Sequence, residues 1–263
     1  MRTALVRRGV VTVSAVSLAL LATACGSGGD DTKDGAKSGT KKETESAAPA
    51  APAKGRTDAE LKGLLVTQAE LPDHKLDPTG NSGVDQSADA PVETDKPECK
   101  VLTQVHAAQK IGSPTGNARA VVSAKSEKPK PGASVEEQMK AIENALGVTV
   151  SMVGLHSYDG KGAEELTASF KNAGEACAGG FTMTSNGDKT KVTSVKEGPA
   201  VTGGDEALSL ELALDLEGKG KPTALLLSVV RKGNTVASFS ALSLVGKTVT
   251  PTAVINTQVK KLP

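Results

Sequence analysis

The residues with the widest chemical repertoire in this chain of 263 are three cysteines, Cys25, Cys99 and Cys177, and three histidines, His74, His106 and His156. A zinc site needs His, Cys or Asp at close, paired spacings, and none of the histidines has such a neighbour. His74 lies in a turn rich in Pro and Asp, His106 about two helical turns beyond Cys99, and His156 next to Leu155 in an apolar run. Each reads as a structural or surface residue. No G-x-S-x-G elbow activates one of the many serines. The segment "ALSLVGKT" (241–248) approaches a phosphate loop, but has Ala241 where glycine is required and only 15 residues after it. It reads as a strand end and a turn. Glu164-Glu165 opens a helical pattern, where carboxylates complement the positive end of the dipole, and Lys260-Lys261 closes another. "DDTKD" (30–34) reads as a solvated charge cluster rather than a calcium site. No catalytic residue, cofactor or metal follows from these patterns, and an enzyme is not expected.

Cys25 has a different context. Arg2, Arg7 and Arg8 precede an uncharged run, Gly9–Leu21, which is too short to span a ~30 Å hydrocarbon core comfortably as a helix. Ala22-Thr23-Ala24 then leads to Cys25-Gly26. The arrangement resembles the lipobox of bacterial lipoproteins, with Ala22 where Leu is usual. The resemblance implies a signal peptide over 1–24; general secretory export is the default reading, with Arg7-Arg8 leaving the twin-arginine route as the alternative. It also implies a diacylglyceryl, palmitate-type anchor on Cys25 at the extracytoplasmic face of the cell membrane. An ordinary signal cleaved after Ala24, leaving a free thiol, is the alternative. With Cys25 lipidated, Cys99 and Cys177 remain as an even pair in an oxidising compartment and are expected to bridge, two buried thiols being the alternative.

Residues 26–56 contain no Leu, Ile, Val, Met or aromatic residue and end in the run "AAPAAPA" (47–53). Such a segment cannot offset its ordering entropy and reads as a disordered tether. As a coil it would span roughly 30 Å, and about 100 Å fully extended. Net charge is +1, from 31 basic and 30 acidic residues, so nothing suggests a nucleic-acid partner. The other 207 residues, 57–263, suit one domain. With one Tyr, three Phe and no Trp, its core must be aliphatic, and stacking sites for sugars or bases are not expected.

The elements that must position any site read as five helices and several strands. "TDAELKGLLVTQAEL" starts with a capping box, Thr57 and Glu60, and runs to Pro72. "CKVLTQVHAAQ" brings Cys99, Leu102 and Val105 together. "SVEEQMKAIENALG" has a second box, Ser134 and Glu137, and sets Val135, Met139, Ile142 and Leu146 on one stripe before Gly147. "AEELTASFKNAGEAC" turns Cys177 inward with Leu166, Phe170 and Ala173. "TPTAVINTQVKKL" has Thr250 as N-cap and Pro251 at its first position. "ALSLELALDL" alternates Leu208, Leu210, Leu212, Leu214 and Leu216 with Ser209, Glu211, Ala213 and Asp215, the period of a strand with one wet face. Hairpins follow from Asn186-Gly187 and Gly233-Asn234, the second with its register open between Ser228 and Leu227 opposite Phe239. Segments 118–125 and 148–158 add two strands. The fold class is α+β: a single antiparallel sheet with helices packed on it.

The motifs "LLVTQAELP", "ECKVL", "SFKNAGEACAG", "GDEALSL" and "VVRKGNTVASFSAL" together resemble the extracellular sensor domain of PknH-type mycobacterial receptor Ser/Thr kinases, which also occurs in free-standing actinobacterial lipoproteins. That family commonly has two disulfides and an aromatic residue, often Trp, before the second helix cysteine; here one disulfide is available and Phe170 is the nearest counterpart. The resemblance implies recognition of an extracellular ligand in a cleft between sheet and helices, with no binding residue carried over. A membrane-anchored, non-enzymatic ligand-binding or sensing module is therefore expected, its ligand a small molecule, lipid or cell-wall component. A carrier of hydrophobic molecules and a cell-envelope protein-interaction module are the alternatives. The three differ in what they require: an open polar cleft, a closed apolar cavity, or an exposed apolar patch.

Overall fold

The computed structural model describes residues 54–78, 92–126, 131–185, 187–216, 218 and 221–263. Cys25, the signal segment, the "DDTKD" cluster and the tether up to residue 53 lie outside them. Among the described residues nine strands form one sheet: β1 (His74–Asp77), β2 (Val92–Thr94), β3 (Gly116–Ala124), β4 (Val150–Ser157), β5 (Phe181–Ser185), β6 (Asp188–Glu197), β7 (Glu206–Asp215), β8 (Thr223–Lys232) and β9 (Thr235–Leu242). Their order is β1-β3-β4-β9-β8-β7-β6-β5-β2, and every pairing is antiparallel. The helices are α1 (Asp58–Leu64), α2 (Lys100–His106), α3 (Val135–Leu146), α4 (Gly162–Ala176) and α5 (Thr252–Lys260), with a 3-10 turn, Pro97–Cys99, leading into α2. This is the α+β sheet-and-helix arrangement that the alternation of residues predicts.

Strand β8 shows how the sheet is covered. Leu225, Leu227 and Val229 join a core with α2 and α4, whereas Val230, pointing the other way, joins Ala237, Phe239 and residues of α1 and α5. Leu212 and Leu214 of β7 are buried in the first core, with Leu208 and Leu210 at its margin; Leu216 is exposed beyond the strand end. The β8–β9 register settles on Ser228 opposite Phe239, through a two-residue turn with Gly233 at φ +56°. Cys99 and Cys177, both fully buried, form the expected disulfide across 78 residues and join the start of α2 to the end of α4.

Several boundaries move. The capping boxes of α1 and α3 are both present. However, α1 ends at Leu64, well before Pro72, because Gln258 of α5 takes over the backbone there: Val66 N–H donates to Gln258 Oε1 (3.0 Å) and Gln258 Nε2 donates to Leu64 O (2.8 Å). Lys261 donates to Leu65 O and to the Glu70 carboxylate, which lowers the Glu70 pKa. Pro251, not Thr250, occupies the N-cap of α5. The stripe of α3, which periodicity alone would assign to a core face, is not buried: no residue of this helix is. His74 opens an edge strand instead of lying in a turn.

Candidate functional site

An open cleft of about 720 Å³ lies where α2 and α4 approach the end of the sheet. Its apolar part comes from Val101, Ile111, Tyr158 and Leu166, all buried. Its polar part comes from Glu98, Gln104, Ser113, Asp159, Lys161 and Glu165, so three carboxylates face one ammonium. The site is assembled from four separate stretches, and each is held in place by identifiable chemistry.

The first stretch, the 3-10 turn and α2, is fixed by the disulfide. The second follows α2, where Ala108 adopts φ +47°, a left-handed position usually given to glycine, and Gln109 N–H reaches back to Gln104 O (2.9 Å). This reversal sends residues 109–115 along the cleft. Tyr158, at the end of β4, donates its hydroxyl to Ile111 O (2.8 Å), and Thr115 N–H donates to Ser157 O (2.8 Å). Burial pushes the Tyr158 pKa up, so the phenol stays protonated and keeps its donor role. The fourth stretch, α4, starts directly against the Tyr158 ring: a Cβ on Gly162 would lie 2.6 Å from a ring carbon, so glycine is required there. Glu164 and Glu165 occupy the first turn of α4, as their position at a helix start predicts. The chain enters this end of the domain as well: Gly55 N–H donates to Asp159 Oδ1 (2.7 Å) and Arg56 N–H to Ser157 Oγ (3.0 Å).

The histidines do not join the cleft. His156 is fully buried, with Nδ1 at 2.9 Å from Asn117 Nδ2 and Nε2 at 3.1 Å from Ser238 Oγ. The Asn117 amide nitrogen, which also donates to Leu155 O, can only donate, so Nδ1 accepts and the proton sits on Nε2. Ser238 Oγ in turn lies 3.5 Å from Gly154 O. Burial lowers the His156 pKa to about 4. His106 Nδ1 pairs with Ser240 Oγ at 2.8 Å. Two Ser–His contacts on one strand were not legible in the sequence. Both hydroxyl-bearing residues are buried, Ser238 at 0% and Ser240 at 2% exposure, so these contacts read as satisfied polar pairs beneath α2. His74 lies on β1, apart from either.

The segment 241–248 is the end of β9 and a cross-linked loop. Ser243 N–H donates to Thr248 Oγ1 (3.1 Å), and Thr248 Oγ1 donates to Ala224 O (2.6 Å). Among the described residues no group of three or more His, Cys, Asp or Glu could hold a metal, and no helix is long and apolar enough to cross a membrane.

Solved structures similar to this chain include the following two. The extracellular domain of PknH from Mycobacterium tuberculosis matches 79% of this chain and 97% of its own, with 14% identity and a TM-score of 0.45. An uncharacterized protein from Mycobacterium smegmatis, an Rv0999 ortholog, matches 77% of this chain and 92% of its own, with 11% identity and a TM-score of 0.34. No protein-family model and no curated protein matches.

Proposed function

We propose that the protein is an extracytoplasmic, membrane-tethered and non-catalytic binding or sensing module whose α2–α4 cleft receives a small polar ligand. The observation that carries this reading is the cleft itself. Its volume falls within the range of small-molecule sites, and its lining combines an apolar floor with a rim of hydrogen-bonding groups. The excess of carboxylates over Lys161 favours a ligand bearing an amine or several hydroxyl donors. A carrier of acyl chains would need an enclosed apolar chamber, and this cleft is open and half polar.

The cleft is tested by native mass spectrometry of the full-length chain, purified gently from the cells that make it. A reproducible added mass, released on denaturation, is the expected result. Ser169→Trp, which places a bulky ring in the cleft from an exposed position on α4, should abolish that mass and leave the unfolding midpoint unchanged. A clean apo mass, or a ligand retained by the variant, would remove the cleft from consideration.

The tether reading rests on the N-terminal sequence and on Cys25. Cys25→Ser should move the protein from the membrane fraction to the soluble extracytoplasmic fraction, because about 0.8 kcal/mol of membrane affinity is lost with each acyl methylene. Normal membrane retention of this variant would refute the anchor.

A further inference from the structure

Helix α3 is out of keeping with the rest of the fold. Val135, Met139, Ile142 and Leu146 form one continuous stripe, yet they are 78%, 64%, 57% and 47% exposed. A helix of 12 residues without packing is marginal, and a cap contributes only about 1 kcal/mol. The stripe continues past the helix. Ser243 Oγ donates to Gly147 O (3.0 Å) and Val249 N–H to Thr149 Oγ1 (3.1 Å), which brings the β9–α5 loop, with exposed Leu244, Val245 and Val249, beside the end of α3. Seven of the eight large apolar side chains exposed among the described residues therefore belong to α3 and this loop. Scattered exposed apolar residues need no explanation, but a contiguous group does.

The spacing and charges of the stripe indicate what covers it. Val135, Met139, Ile142 and Leu146 follow the alternating four- and three-residue steps of a two-helix seam. In that register Glu136 and Glu143 flank the stripe on one side, and Gln138 and Ala145 on the other. A second copy packed antiparallel would set these carboxylates against their own equivalents. An anionic lipid surface fits less well: helices that lie on membranes carry Lys and Arg on the polar face, whereas α3 has Glu136, Glu137 and Glu143 against Lys140, and the loop adds only Lys247. Moreover, α3 leaves the sheet after β3 and rejoins it before β4, at the end opposite Gly55 and Arg56, through which the chain leads back toward Cys25.

We propose that the exposed stripe of α3, with the 243–249 loop, is a docking surface for an amphipathic helix of a partner protein whose own apolar stripe is flanked by lysine or arginine. This surface lies apart from the α2–α4 cleft and does not depend on a ligand there.

The test uses the full-length chain and two fluorescein-labelled heptad-repeat peptides, identical in their Leu seam but carrying Lys or Glu at the flanking positions. Fluorescence anisotropy should show the Lys peptide binding about fivefold more tightly than the Glu peptide, the gap closing in high salt. Ile142→Asp should weaken the Lys peptide by more than about tenfold while leaving the unfolding midpoint unchanged, since Ile142 packs against no core. Glu136→Lys with Glu143→Lys should reverse the peptide preference; neither residue makes the cap. Equal affinities, no binding, or binding indifferent to Ile142→Asp would overturn the proposal. So would a dimer seen by sedimentation, or binding to phosphatidylglycerol vesicles, that Ile142→Asp abolishes: these results would assign the stripe to a second copy or to the membrane.

Discussion

Replacing Cys99 and Cys177 together by serine should lower the unfolding free energy by roughly 4 kcal/mol. The bridge closes a loop spanning 78 residues. On the chain-entropy relation, releasing a loop of that length returns roughly 4.5 kcal/mol of conformational freedom to the unfolded ensemble at 25 °C. Both cysteines also belong to the core that α2 and α4 share with the sheet, so two serine hydroxyls would be placed in apolar surroundings. Urea unfolding should therefore show a lower extrapolated stability together with a steeper slope, because the uncrosslinked chain exposes more surface. Dithiothreitol added to the wild-type protein should reproduce the effect. A loss below about 1 kcal/mol would mean that the unfolded chain stays compact without the bridge. The cleft should feel the change too, because the bridge joins the turn that carries Glu98 to the helix that carries Glu165. Any ligand seen in the wild type should bind the double variant more weakly.

What the sequence reveals and what it hides follow a physical division. Features set by neighbours along the chain are legible. The five-leucine alternation around β7, both capping boxes and the tight turn at Gly233 each have a local cause. The cysteine pair is legible for another reason: the third cysteine has its own context, and only one pairing remains. Features set by distant contacts are hidden. Gln258, which ends α1 from the far end of the chain, looks like an ordinary polar residue of a C-terminal helix. The edge strands β1 and β2 are too short, at four and three residues, to carry a period of two. The α3 stripe is legible as a stripe, but periodicity cannot say whether a helix face meets its own core or another molecule.

The cleft belongs to the hidden class as well. Its residues come from the approach to α2, the loop beyond it, the end of β4 and the start of α4, and none of these stretches carries a motif that points to a ligand. The nearest sequence signal is the succession Tyr158-Asp159-Gly160-Lys161-Gly162 before a helix, in which glycines alternate with two charged residues. It marks a tight strand-to-helix connection, and Gly162 proves to be needed for the Tyr158 ring. That signal locates a turn without saying that a cavity opens beside it.

The pH profile offers the second large effect. His156 is fully buried, and burial lowers its pKa to about 4 from an unfolded value near 6.5. Its described partners, Asn117 and Ser238, are neutral, so no carboxylate compensates a charge on the ring. Its surroundings are closely packed: a Cβ on Gly154 would lie 2.5 Å from Ser238 Oγ and 3.0 Å from His156 Nε2. The sign follows from proton uptake. Above about pH 6.5 neither state binds a proton at this ring, and the stability is complete. As the pH falls below 6.5 the unfolded chain takes up the proton while the folded chain does not, and stability drains away until about pH 4. Between pH 8 and 4.5 the loss should be roughly 2.5 kcal/mol from this residue. The carboxylates whose pKa values are lowered by hydrogen bonds, among them Glu60, Glu70 and Glu137, act in the same direction but begin about one pH unit above their unfolded value of 4.5. The interval from about pH 6.5 to about 5.5 therefore reports on the histidine before these carboxylates contribute. Urea midpoints measured across that interval should fall steeply in the wild type and stay nearly level in His156→Gln, whatever the absolute stability of the variant. Comparing slopes, not midpoints, separates the proton linkage from the packing cost of the substitution. An equal slope in both proteins, or an NMR titration of His156 centred near 6.5 in the folded state, would show that the ring is hydrated and that the Asn117–His156–Ser238 array opens to solvent.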